Sequence, residues 1–170
     1  MKKPVFFLLT SLSVNSFSPQ NTLTAEQKAI INKCINYRLT HVVGRYIKSI
    51  DKNNTISAEA IEQWMPAALE LKRFFAIAAL YPTDRLVMTH ERADALWHAF
   101  LAYYPQEYKE FCTRIVESPI EHKPISRNDN RAQLLKAYES FQSTYKTLFG
   151  VSPDKNGWKD YTPGLGGCYK

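Results

Sequence analysis

A chain of 170 residues is the size of one domain and long enough to bury a core of its own. With 45% hydrophobic and 13% aromatic residues it is neither a disordered nor a fibrous chain. The formal charge of +6 tolerates an anionic partner, but lysine and arginine are scattered rather than gathered in a block, so a solvated basic face is expected and a nucleic-acid partner is not.

In chain order, Lys2-Lys3 precede an apolar run over residues 5–14, with Val14-Asn15-Ser16 as a small-residue cleavage site. That pattern is one of a secretory signal. The run is short and interrupted by Thr10, Ser11 and Ser13, so residues 1–22 read equally as a flexible lead. Cys34, Cys112 and Cys168 cannot all pair within one chain, which fits a reducing compartment or a metal site better than a disulfide framework. A cytoplasmic protein is therefore the expectation, with export the alternative. No later segment approaches the roughly 20 apolar residues that a membrane span needs.

Residues 23–170 read as a single helical domain. Thr24-Ala25-Glu26-Gln27 is a capping box that opens a helix. Ile30, Ile31, Cys34, Ile35, Leu39, Val42, Val43, Tyr46, Ile47 and Ile50 then form one stripe, which predicts one helix as far as the turn-rich residues 51–55. Cys34 on that stripe is a core thiol, and His41 at its edge a boundary residue. A second helical region opens near Ser57, and Pro66 predicts a break near Trp64. The strongly apolar residues 67–80 follow, and in them Arg73 reads as a solvated surface charge, or else as a buried one needing a carboxylate. Thr89 is placed to cap a helix running to about Tyr103, and Pro105 opens another through Val116, the short link making the two antiparallel neighbours. Ser118-Pro119 stops it. After a polar loop comes a last helix over residues 131–149, ended by Gly150, then a Pro/Gly-rich tail with Trp158 and Tyr161 to pin it and Gly164, Gly166 and Gly167 to let it bend. No strand pattern survives comparison with helix. The expected fold is all-α, five or six helices in one compact domain with an irregular tail.

The chemistry gathers around His98. If residues 91–103 and 105–116 pair antiparallel, His98 and Cys112 lie at similar heights, roughly 9–12 Å from the turn at ~1.5 Å per residue. His122 arrives on the following loop. Neutral imidazole and thiolate suit Zn²⁺, so His98, Cys112 and His122 are candidate ligands, with Cys168 as the fourth. Asp94, four residues before His98, either holds the far ring nitrogen from outside the ligand shell or favours the helix dipole from the first turn. No CxxC or HExxH pair fixes two ligands by short-range geometry, and aromatic-packed core histidine and cysteine are the competing explanation. A thiol enzyme would use the same residues differently: Cys112 as nucleophile, His98 as base, Asp94 as orienter.

These residues resemble the glycine-rich domain-containing protein-like family, whose signature has an aspartate before Trp-His, then Tyr-x-x-Phe-Cys, then His-x-Pro. The matching positions are Asp94, Trp97-His98, Tyr108, Phe111-Cys112 and His122-Lys123-Pro124. Lys72-Arg73-Phe74-Phe75 is similar to the family's Arg-Phe-Leu segment, and Tyr138, Tyr145, Phe149-Gly150 and Trp158 to its closing helix and tryptophan. Glu121 stands where members often carry the first of two histidines, a glycine near Glu117-Ser118 is missing, and the tail keeps only Gly164-Leu165-Gly166-Gly167-Cys168. The resemblance implies no settled enzymatic activity, and a pattern defined by His and Cys strengthens the metal reading. The expectation is a zinc-type helical module that binds or interacts with protein partners. The alternatives are a thiol- or metal-dependent hydrolase or transferase using Cys112 and His98, and a purely structural domain without metal.

Overall fold

Thr24 and Gln27 close the predicted capping box: the Gln27 N–H donates to the Thr24 hydroxyl at 3.1 Å and the Thr24 N–H to the Gln27 side-chain oxygen at 3.0 Å. In the computed structural model, which describes residues 23–51, 56–126, 128–161 and 168–169, the helix they open is α1, Ala25–Asn36. It is not the single rod that the apolar stripe predicts. The chain turns at residues 37–39 and restarts as α2, Thr40–Ile50. No glycine or proline marks this corner; tertiary packing makes it. Tyr37, extended at φ −62° and ψ 134°, lays its ring 4.6 Å from that of Phe111 and donates its hydroxyl to Glu107 at 2.7 Å.

The next helix, α3, is Ala58–Leu80 and runs unbroken through Pro66, where the sequence predicts a break. Proline removes one backbone bond and crowds the preceding turn. That turn receives a donor from elsewhere: Arg92 reaches the Gln63 carbonyl at 2.8 Å, its guanidinium 4.1 Å over the Trp64 ring. Helix α4, Glu91–Tyr103, and helix α5, Pro105–Phe111, follow, and α5 passes into a π-helical turn, Cys112–Val116, ended by Glu117 at φ 59°. Helix α6 is Arg131–Phe149, between an Asn130 cap and Gly150 at φ 72°, with the bounds its pattern predicts. Three strands of two residues each, β1 (Val87–Met88), β2 (Lys123–Pro124) and β3 (Cys168–Tyr169), pair antiparallel in the order β1-β3-β2. They are too short to leave an alternation in the sequence. The described residues thus form the expected all-α domain, and no helix among them is long and apolar enough to cross a membrane. Residues 1–22 and Gly164, Gly166 and Gly167 lie outside the described residues.

Helix α3 is central, touching α1, α2, α4 and α6. Its Phe74 ring lies 5.2 Å from Trp97, 5.9 Å from Phe141 and 6.2 Å from Trp158, and Phe75 lies 5.6 Å from Trp97 and 5.1 Å from Phe111. Rings this deeply buried contribute about 1.5–3 kcal/mol each. Trp158 and Tyr161 are both buried, which holds the tail against the body.

Among the described residues two polar ones, Glu70 and His90, sit inside this core. Glu70 on α3 accepts from Arg73 at 2.7 Å, from the Tyr145 hydroxyl at 2.6 Å and from the Trp158 indole at 2.7 Å. Arg73 is therefore a fixed ion-pair member and not the solvated charge that sequence favours. His90 replaces Thr89 as the cap of α4: its Nδ1 accepts from the Ala93 N–H at 3.1 Å while Nε2–H donates to the Asn156 carbonyl at 3.0 Å. Those partners fix one neutral tautomer. Burial, the largest influence, holds the His90 pKa below its ordinary value. The unfolded chain then binds the proton first, so this contribution to stability is present above the ordinary histidine value of about 6.5 and is lost as pH falls below it. Urea unfolding at pH 7.5 and 5 should show a smaller loss for His90→Asn, which keeps a cap and removes the titration, than for the unsubstituted protein.

Candidate metal centre

Helix α4 places Asp94 and His98 on one face, four residues apart. Trp97 points inward and is fully buried, and successive helical residues turn by about 100°, so His98 swings outward. Its side chain is 58% exposed. The loop that carries His122 is tied to the same helix from inside: the Tyr108 hydroxyl accepts from the Trp97 indole at 3.0 Å and donates to the Ile120 carbonyl at 2.7 Å. His122 then stands edge-on to Trp97, ring centroids 4.3 Å apart, with its own side chain only 7% exposed. Strand β2 starts at the next residue, and its Pro124, together with Met88 of β1, pairs with Cys168 of β3. Backbone pairing on both sides thereby brings a cysteine from the far end of the chain to His98.

The donor atoms of Asp94, His98, His122 and Cys168 all lie within 4.8 Å of one another. His122 Nε2 is 3.1 Å from Asp94 Oδ1, His98 Nε2 is 3.5 Å from Asp94 Oδ2, and Cys168 Sγ is 3.9 Å from His98 Nε2. Metal–ligand bonds of about 2.0–2.3 Å in a tetrahedron separate the ligands by roughly 3.3–3.7 Å, so the group fits one ion with small inward movements. Burial, and after it the Asp94 carboxylate to which the thiol donates, push the Cys168 pKa up to about 12. A carboxylate and a protonated thiol held against two imidazoles are groups that a divalent cation binds with release of a proton.

Three of the four ligand candidates named from sequence, His98, His122 and Cys168, are thus brought together. Cys112 is not. It begins the π-helical turn on the inner side of α5, buried, with the Tyr108 hydroxyl and the Ile120 backbone as its partners, and burial raises its pKa. His98 stands on the exposed side of α4 whereas Cys112 is buried, so the two side chains that counting along the helices places at similar heights leave on different faces. The same separation takes Cys112 away from the His98 and Asp94 that a thiol enzyme would pair with it. Asp94 contacts both imidazoles, a closer role than an outer-shell partner for His98 alone, and still lies in the first turn of α4 as the dipole reading has it. Cys34 is a core thiol pushed up to about 12 by burial, and His41 is exposed and paired with Glu107 at 2.9 Å. All three cysteines are free. The four-residue spacing from His98 points to Asp94 only as a residue outside the ligand shell, and nothing short of the tertiary structure joins Asp94 to His122. Comparison with protein-family models, curated proteins and solved structures finds no match.

Proposed function

We propose that this chain is a zinc-type metal-binding module in which the ion fastens the C-terminal strand and the His122 loop to helix α4, and that it serves as an interaction module for a protein partner rather than as an enzyme. The observation that carries the proposal is the convergence of four donor side chains from three separate segments on one point, all within 4.8 Å. Carboxylate, imidazole and thiolate together suit borderline-soft Zn²⁺ better than Mg²⁺ or Ca²⁺, which take oxygen. Four protein ligands fill a tetrahedron, the arrangement of structural sites, whereas a catalytic ion keeps a position for water.

Metal analysis of the protein purified without a histidine tag tests this. The expected result is about one zinc per chain, lost on His122→Ala and on Cys168→Ser and kept on Cys112→Ser. Zinc that disappears with Cys112→Ser and persists with Cys168→Ser would assign the ion to a different set of residues, and a wild-type content near zero after zinc loading ends the proposal.

A further inference from the structure

Helix α2 borders an open groove of about 630 Å³ on a different part of the surface from the metal centre, between α2 and the start of α3. Its size is within the roughly 300–1,000 Å³ of small-ligand sites. His41, Arg45 and Lys48 lie along one face of α2 at helical spacing, with Arg38 at the corner before it, and all of them line the groove. Among the described residues no acidic side chain lines it. Glu107 holds His41 at 2.9 Å, and the Arg45 guanidinium rests 4.4 Å over the Tyr103 ring, which leaves its charge unneutralised. Arg38 and Lys48 are exposed and make no ion pair among the described residues. Three uncompensated cations on one groove repel one another, an arrangement relieved by an anion placed between them. The floor is of the opposite character: Tyr104 and Ile61 present ring and aliphatic surface.

We infer that this groove binds a phosphate ester, its phosphate held by Arg38, Arg45 and Lys48 and its organic part laid on Tyr104 and Ile61. Guanidinium forks match phosphate oxygens two at a time, and a phosphate supplies more than one negative charge to a site carrying three positive ones. The chemistry is shared by a free nucleotide and by a lipid headgroup, for which the exposed Ile50 and Ile56 beside the groove would supply an apolar contact with the bilayer. The inference does not depend on the metal centre.

Two probes distinguish the sources: ATP by calorimetry, and co-sedimentation with phosphatidylcholine vesicles containing phosphatidylinositol 4-phosphate. At least one should bind, and the double variant Arg45→Ala/Lys48→Ala should weaken it about tenfold or more with an unchanged melting temperature, since both side chains are exposed. Binding of ATP assigns the free ester, and binding of vesicles alone assigns the headgroup. Lys136→Ala/Lys146→Ala on α6 removes the same charge elsewhere and should change neither. The inference is overturned if neither probe binds, if the α2 variant binds as the unsubstituted protein does, or if the α6 variant weakens binding equally.

Discussion

Glu70→Gln is expected to destabilise the protein by about 3–5 kcal/mol, the loss seen when one partner of a buried ion pair is removed. Glu70 is 3% exposed, and its carboxylate accepts from three donors: Arg73 at 2.7 Å on one oxygen, Tyr145 at 2.6 Å and Trp158 at 2.7 Å on the other. A glutamine amide has one acceptor oxygen, so its NH₂ group must face a donor whichever way it is turned. If the oxygen keeps Tyr145 and Trp158, the amide nitrogen opposes Arg73, whose charge is then left without its counter-ion. The damage extends beyond the pair. Arg73 also donates to the Tyr145 hydroxyl at 2.8 Å, as does the Asn156 amide at 2.8 Å, so α3, α6 and the tail share one network. An isolated ion pair can be replaced by apolar residues at little cost. Here Glu70→Leu/Arg73→Met should remain destabilised, because Tyr145 and Trp158 lose their acceptor. Denaturant unfolding in which that double variant equals or exceeds the unsubstituted protein would show that the network contributes nothing beyond the pair.

That network also shows where sequence stops being informative. Glu70 is a polar residue beside apolar ones on a long helix, and its partners lie 75 and 88 residues away at Tyr145 and Trp158. Nothing local announces them. Local chemistry was legible wherever it decides the outcome: the Thr24 capping box, the bounds of α6 from Asn130 to Gly150, and the Asp94/His98 spacing on α4 all follow from side chains within a few residues. Where packing overrides propensity the sequence misleads. The stripe from Ile30 to Ile50 has continuous helical period, yet Tyr37 leaves the helix to reach Phe111 and Glu107. Pro66 carries the strongest helix-breaking signal in the chain, yet α3 continues, with Arg92 serving the turn it disturbs. Cys112 stands apart from the converging donor group for a subtler reason: height along two paired helices can be counted from sequence, whereas the face each side chain takes depends on the crossing of the helices and on the π-helical turn. Cys168 is the converse case. Its two-residue strand has no readable pattern, and it reaches the site through pairing with β1 and β2.

Zinc at a free concentration 1,000 times its Kd should stabilise the folded protein by about 4 kcal/mol, and at about 2–4 °C per kcal/mol for a chain of this size that corresponds to a rise of roughly 8–16 °C in Tm. Strands of two residues contribute little by themselves, so an ion bound by Cys168, His98 and His122 would add to the backbone pairing that holds β3 beside α4. The unfolded chain has no preformed site, and binding energy therefore appears as folding energy. His122→Ala should abolish the shift, because it removes the least exposed imidazole of the group. Cys112→Ser should lower the starting Tm, since Cys112 is buried in the core, and keep the shift in full. The pH dependence has a defined sign. Without a cation the Cys168 thiol is held up to about 12, so binding must expel its proton and the apparent affinity falls as pH falls, by about tenfold per unit for the thiol. Cys168→Ser should flatten that dependence above neutrality. A zinc-induced shift that keeps both its size and its pH slope in Cys168→Ser would mean that the ion is held by Asp94, His98 and His122 without the C-terminal strand, leaving the fourth position to water and turning the site from a fastening into one with room for a substrate.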